Sequence, residues 1–296
     1  MIQVHVLELF IRPEFAGSPA ARIGMFLGGP PAAPMFMAIM GWFLAETARS
    51  AGALAGHGIK ILALGFALNL GLNAHLLIRM SRGEFDFLNP LHFVFGVDIL
   101  FLAGLGILIV AAWRRMTGHL PDGLEALLGT ALIVGLTPFI NRLCDGATGP
   151  SAYPLAYLGG TFAWSYFPVF PWLGYVFLGA AAHGLRRLLG DRLSSVTQLT
   201  MAAAVMTALL GLTGTAAFTT TADLPAYYHH PPLFFLWTSA FLFAWWMLHA
   251  IAERLSGGRI FLRAIKWTGR NITAMYVFQW LVIGNLATGI YQSLSP

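Results

Sequence analysis

Residues Leu193–Ala222 read LSSVTQLTMAAAVMTALLGLTGTAAFTTTA, and after a single aspartate Leu224–Ala252 read LPAYYHHPPLFFLWTSAFLFAWWMLHAIA. The first stretch runs 30 residues and the second 29 without Lys, Arg, Asp or Glu. An α-helix rises 1.5 Å per residue, so about 20 apolar residues cross the hydrocarbon core of a bilayer. Each stretch is therefore long enough to span, and Asp223 marks the turn between them. The same pattern extends outward along the chain. Uncharged runs cover Ile23–Ala45, Ile61–Ile78, Ala126–Asn141, Gly146–Leu185 and Asn271–Pro296, and Phe87–Trp113 is interrupted only by Asp98. With the short apolar stub at Met1–Ile11, this predicts eight full transmembrane helices and one partial N-terminal helix. The expected fold is an all-α, polytopic integral membrane helix bundle forming one domain over residues 1–296.

Composition agrees with that reading. Of the 296 residues, 57% are hydrophobic and 10% charged, against roughly 25% charged in a soluble domain. So little charge cannot solvate the surface of a soluble body this size, and a disordered chain would be far less apolar. The net charge of +5 would raise nucleic acid as a partner in a soluble protein. Here the cations sit in short clusters between apolar runs, so they read as topology and no nucleic-acid partner is expected. Cys144 is the only cysteine, which leaves no intrachain disulfide and no cysteine-rich zinc site.

Loop charge orients the bundle. One set of alternate loops holds Arg49, Lys60, Arg114, Arg115, Arg186, Arg187, Arg192, Arg254, Arg259, Arg263, Lys266 and Arg270, which is 12 of the 17 basic residues. The other set holds Arg12, Arg22, Arg79, Arg82 and Arg142. Basic loops stay in the cytoplasm. Loops around 46–60, 114–125, 186–195 and 253–270 are therefore expected inside. Those around 12–30, 79–91, 141–155 and 219–232 are expected outside, together with the C-terminus. This is the layout of a bacterial inner-membrane protein.

Ionisable side chains at membrane depth are costly and are candidates for function. His5 and Glu8 stand three apart and share a helix face, so either the carboxylate raises the basicity of the imidazole, as a general base requires, or both simply stand in water on a stub near the membrane surface. Asp98 lies in FGVDILFLAGLG, read as the interior of the fourth helix, and needs a donor or a wet cavity. Asn69 and Asn73, at i and i+4 with Arg79 beyond them, either line a cavity or serve as interhelical glue. His183 and His249 stand near inner helix ends and read as interfacial. His229 and His230 are adjacent, so on a helix they would point apart. No HxxxH or HExxH spacing occurs, and no metal is expected.

Three segments carry a resemblance: FPVFPWLGYVFLGA at Phe167–Ala180, TGRNITAMYVFQWLVI at Thr268–Ile283, and GGPPAAPMFMAIMGWFL at Gly28–Leu44. Together with MIQVHVLELF at the start, their order resembles the heparan-alpha-glucosaminide N-acetyltransferase-like family, within the transmembrane acyltransferase superfamily. The resemblance covers nearly the whole chain and implies a function. An acyl group, usually acetyl, passes from cytoplasmic acyl-CoA to a glycan or envelope acceptor across the membrane. It implies His5 as base and Glu8 as its orienting partner. Arg270 and Arg186 would meet CoA phosphates, which suit arginine. Asn271, Gln279 and Trp172 would complete the cofactor side, with Asn271 also a helix cap. Asp98, Asn73 and Arg79 form a substrate or structural polar core, with membrane lipid and other membrane subunits as further partners.

The family opens with an Asp and an Arg-Gly pair before the first-helix histidine, whereas Met1 here stands four residues before His5. The expectation is a domain lacking the start of its first helix. Residues 12–30 contain no histidine, so heparan itself is not the expected acceptor. A second reading on the same fold is a non-catalytic membrane subunit of a larger complex. A third is a transporter with Asp98 on its path, which inverted repeats would favour; none is visible.

Overall fold

The computed structural model describes residues 2–121, 123–189, 196–255 and 259–291, with side chains over the same ranges except 189, 196–199, 253–255 and 259–262. Arg192 and the chain beyond Tyr291 lie outside the described residues, as do the side chains of Arg254 and Arg259. The described elements are helical, with no β-sheet among them, and the chain is an integral membrane helix bundle.

The short helix α1 (Ile2–Phe10) leads through a single helical turn at Pro13–Ala16 into α2 (Pro19–Gly28) and α3 (Ala33–Glu46). Next come α4 (Ala51–Leu72), α5 (Ile99–Thr117) and α6 (Leu124–Cys144). The second half contains α7 (Val169–Leu189), α8 (Val196–Ala222) and α9 (Pro232–Leu255), followed by α10 (Arg259–Arg270) and α11 (Ile272–Ile290). Among the described residues, seven helical units are long and apolar enough to cross a membrane, with α2 and α3 counted as one unit broken in the middle. The eighth long helix is α7, whose apolar run is diluted by Pro171, Trp172, Tyr175 and His183.

Two differences from the expected layout bear on the site. The segment expected as an outer loop over 12–30 is already helical from Pro19. The spanning unit that follows breaks at Gly29–Ala32, where Pro30 and Pro31 remove two backbone donors. Asp98 is not inside a helix. The chain before it holds a short helix, Pro90–Val94, and Val97 pairs with the 164–167 strip through bonds such as Val97 N–H to the Trp164 carbonyl at 2.8 Å. That pairing ends the preceding loop, so α5 starts at Ile99 with Asp98 as its N-cap.

Small residues set the helix contacts. α7 lies at the centre, with Trp172, Leu173, Tyr175 and Val176 fully buried, packed against α3 and α6. A methyl added to Gly41 would overlap the Val176 carbonyl, and one on Gly179 would overlap that of Ala38. α3 and α7 thus approach backbone to backbone at a reciprocal glycine pair. Gly58 and Gly104 do the same for α4 and α5, each Cβ position lying 2.9 Å from the other's carbonyl oxygen. Beside Gly179, Ala180 and Ala181 bury against Ala126 of α6. Outward faces carry Leu212, Phe278 and Phe139 with most of their surface exposed, as expected where the bilayer is the solvent.

Candidate functional site

The break between α2 and α3 faces α1. Gly28 leaves no room for a side chain beside Val4, and Gly24 is similarly close to Leu7, so the two short helices pack tightly. This contact holds His5 against the broken turn. His5 keeps only 9% of its surface exposed. Its Nδ1 lies 3.6 Å from Glu8 Oε2, an ion-pair distance too long for a hydrogen bond. The Trp280 ring of α11 covers the imidazole, with centroids 4.2 Å apart. On the other side, the Tyr228 hydroxyl approaches Glu8 Oε1 at 3.5 Å. Sequence reasoning paired His5 with Glu8 correctly in space.

A cavity of about 30 Å³ opens beside this pair, lined by His5, Gly28, Gly29, Tyr227, Tyr228 and Tyr276 among others. That is room for a water or two. His5 Nδ1 and the Tyr227 hydroxyl are buried there without a hydrogen-bond partner among the described residues. Unsatisfied buried polar atoms cost free energy, and around a cavity they mark a place where a polar group can be held.

Asp98 belongs to the same neighbourhood. Its Oδ1 accepts from the Ile99 backbone N–H and from the Tyr276 hydroxyl. Its Oδ2 is buried without a partner among the described residues, as are Gln279 Nε2 and Trp280 Nε1. Tyr276 is the residue that sequence reasoning missed. It stands between Asn271 and Gln279 in the GRN…Y…QW segment, and only its tertiary position singles it out, since it touches both the cavity and Asp98.

The residues expected on the cofactor side are not gathered in one place. Trp172 is fully buried near the start of α7, and its indole N–H is donated to the Tyr228 carbonyl at 2.7 Å. Its donor is spent inside the protein, so it braces Tyr228 and presents nothing to a cofactor. Arg186 stands 14 positions later on α7, which places it about 21 Å away along the helix. It is exposed there, with its guanidinium over the Trp42 ring at 5.5 Å. Arg270 is exposed at the end of α10. Asn271 occupies the N-cap position of α11, but its side chain makes no cap bond. Its Nδ2 donates back to the Trp267 carbonyl at 2.9 Å.

The asparagine pair works as glue. Asn69 Nδ2 donates to the Val94 and Gly96 carbonyls at 3.0 and 2.8 Å, and Asn73 Nδ2 reaches the Phe93 carbonyl at 3.2 Å. Both side chains therefore fasten the segment leading to Asp98. Arg79 Nε donates to Glu84 at 2.6 Å, and Nη1 reaches the Thr288 carbonyl at 3.3 Å, tying the turn after Arg79 to the end of α11.

His229 and His230 differ in surroundings. His230 is fully buried. Its Nδ1 is 2.7 Å from the Tyr227 carbonyl, which only accepts, so Nδ1 carries the proton and Nε2 accepts from the Tyr175 hydroxyl at 3.0 Å. Burial pushes His230 down to about 4, which keeps the ring neutral. His92, stacked flat on Trp164 with centroids 4.0 Å apart, is also lowered by burial. No group of three or more His, Cys, Asp or Glu placed to hold a metal ion occurs among the described residues.

No protein-family model, curated protein or solved structure matches this chain.

Proposed function

We propose that the chain is a membrane-embedded acyltransferase, acting in a bacterial inner membrane with its C-terminus outside. In this reading it moves an acyl group, acetyl first of all, from cytoplasmic acyl-CoA to a hydroxyl or amine of a glycan or envelope molecule. The observation that carries the reading is the buried His5, flanked by Glu8 and Trp280, beside a cavity at a broken helix. Irregular backbone at membrane depth is tolerated where it lines a cavity, and an imidazole with a nearby carboxylate is a general base in waiting.

The chemistry balances with His5 alone as proton carrier. Neutral His5 accepts the acceptor's proton as its oxygen or nitrogen attacks the thioester carbonyl carbon. The carbon–sulfur bond then breaks, and the CoA sulfur leaves with the proton that His5 held. Glu8 stabilises the imidazolium between those steps. Tyr227, a cavity-lining residue whose hydroxyl is buried without a partner among the described residues, suits a developing oxyanion, whereas the Tyr276 hydroxyl is donated to Asp98. Arg186, exposed near the end of α7, suits the CoA phosphates. Gln279, buried with its amide unpaired among the described residues, suits a pantetheine amide.

The test uses purified full-length protein and labelled acetyl-CoA. Wild type is expected to bind the thioester and to transfer label to envelope material. His5→Ala is expected to bind but not to transfer. If wild type does not bind acetyl-CoA, the enzyme reading is lost and the non-catalytic subunit takes its place.

A further inference from the structure

The connection into the last spanning helix is itself a helix. In α10, Arg263, Lys266 and Arg270 follow at spacings of three and four, so the three cations share one face. The sequence continues the stripe with Arg259, four residues earlier. All three described cations are exposed. Ala264, Ile265 and Thr268 occupy the opposite side, and Trp267 lies on the flank. Ile265 is 49% exposed and Trp267 62%. A helix standing free in water would not pair a cationic stripe with exposed Ile and Trp. A helix lying in a membrane interface requires both.

Its position in the chain places it there. The 19 residues of α11 extend about 28 Å, which matches the hydrocarbon core. Asn271 alone separates α10 from this spanning helix.

We infer that α10 is an anionic-lipid-binding helix. The Arg263–Lys266–Arg270 face engages the phosphates of acidic phospholipids, while Ile265, on the opposite side, enters the acyl boundary and Trp267 lies at its edge. This stands apart from the acyl-transfer reading, because it rests on α10 alone and requires no substrate.

Hydrogen–deuterium exchange on the full-length protein in nanodiscs tests it. Amides of α10 should exchange at least about tenfold more slowly with phosphatidylglycerol present than in phosphatidylcholine alone, because each cation gains from an anionic surface. The difference should shrink in high salt. Arg263→Glu/Lys266→Glu should abolish it, and Arg263→Lys/Lys266→Arg should retain it, with exchange in α4 and α5 unchanged as the check on folding. Should the charge-reversed variant fail to assemble, the wild-type lipid comparison decides. Equal exchange in the two lipids overturns the inference. So does equal slowing by acetyl-CoA or inorganic phosphate in phosphatidylcholine discs, which would assign the stripe to a soluble phosphate.

Discussion

Near the broken turn of the bundle His5 is buried and Asp98 half-buried, and their partners differ in kind. His5 has a carboxylate at ion-pair distance and an indole on its face. Asp98 has two donors on one oxygen and none on the other. His5→Ala should reduce acetyl transfer by roughly 100- to 10,000-fold, the usual worth of a positioned acid–base group, while leaving thermal unfolding in detergent close to wild type. Tyr276→Phe should instead cost about 1–3 kcal/mol of stability, because it removes a donor from a buried carboxylate. A melt of that variant indistinguishable from wild type would show that Asp98 does not depend on Tyr276. His230 gives a pH prediction. It is neutral in the fold down to about 4, whereas in the unfolded chain it takes a proton below about 6.5. The unfolded state therefore binds more protons between those values, and stability falls as pH drops from about 6.5 to about 4, then levels. His230→Gln should flatten that part of the melting-temperature profile.

At the scale of elements, glycine pairs decide which helices can touch. Gly41→Leu and Gly179→Leu should each cost about 3 kcal/mol or prevent assembly, because the overlap is with backbone carbonyls that cannot rotate away. Gly135→Ala in α6 and Gly211→Ala in α8 meet nothing within 4 Å. These should be tolerated or should stabilise by about 0.5–1 kcal/mol through helix propensity. Expression level and melting temperature in detergent distinguish the two pairs. The apolar runs made the spanning helices legible in the sequence, but not the starts and breaks inside them. Phe87–Trp113 reads as one uncharged run around Asp98, yet its first part folds as a short helix and an extended strip. Carbonyls at 93, 94 and 96 are taken up by Asn69 and Asn73, residues 20 or more positions away. No local pattern reports that capture.

Across the whole molecule, the proposed orientation is checked by labelling. On a Cys144→Ser background, a cysteine at Ser151 should react with an impermeant maleimide on intact cells. One at Met116, which is 72% exposed, should react only after the membrane is opened. The reverse pattern would invert the bundle and place the basic loops outside. The candidate site was legible only in part. His5 and Glu8 are three apart on one helix, so sequence spacing alone puts them on one face. Tyr228, Tyr276, Trp280 and Asp98 come from three other parts of the chain. Trp172 sits in a segment that resembles a functional motif, and only its burial shows that its donor is already used.

The sequence by itself determined the membrane, the helical class and the uneven distribution of charge between alternate loops, because hydrophobicity and charge act residue by residue against the bilayer. Tertiary structure alone decided where helices break and cap, which glycines bring backbones together, and which polar atoms remain unpaired around His5. Those outcomes depend on side chains far apart in the chain meeting in a volume of a few tens of Å³, and nothing local to any of them encodes that meeting.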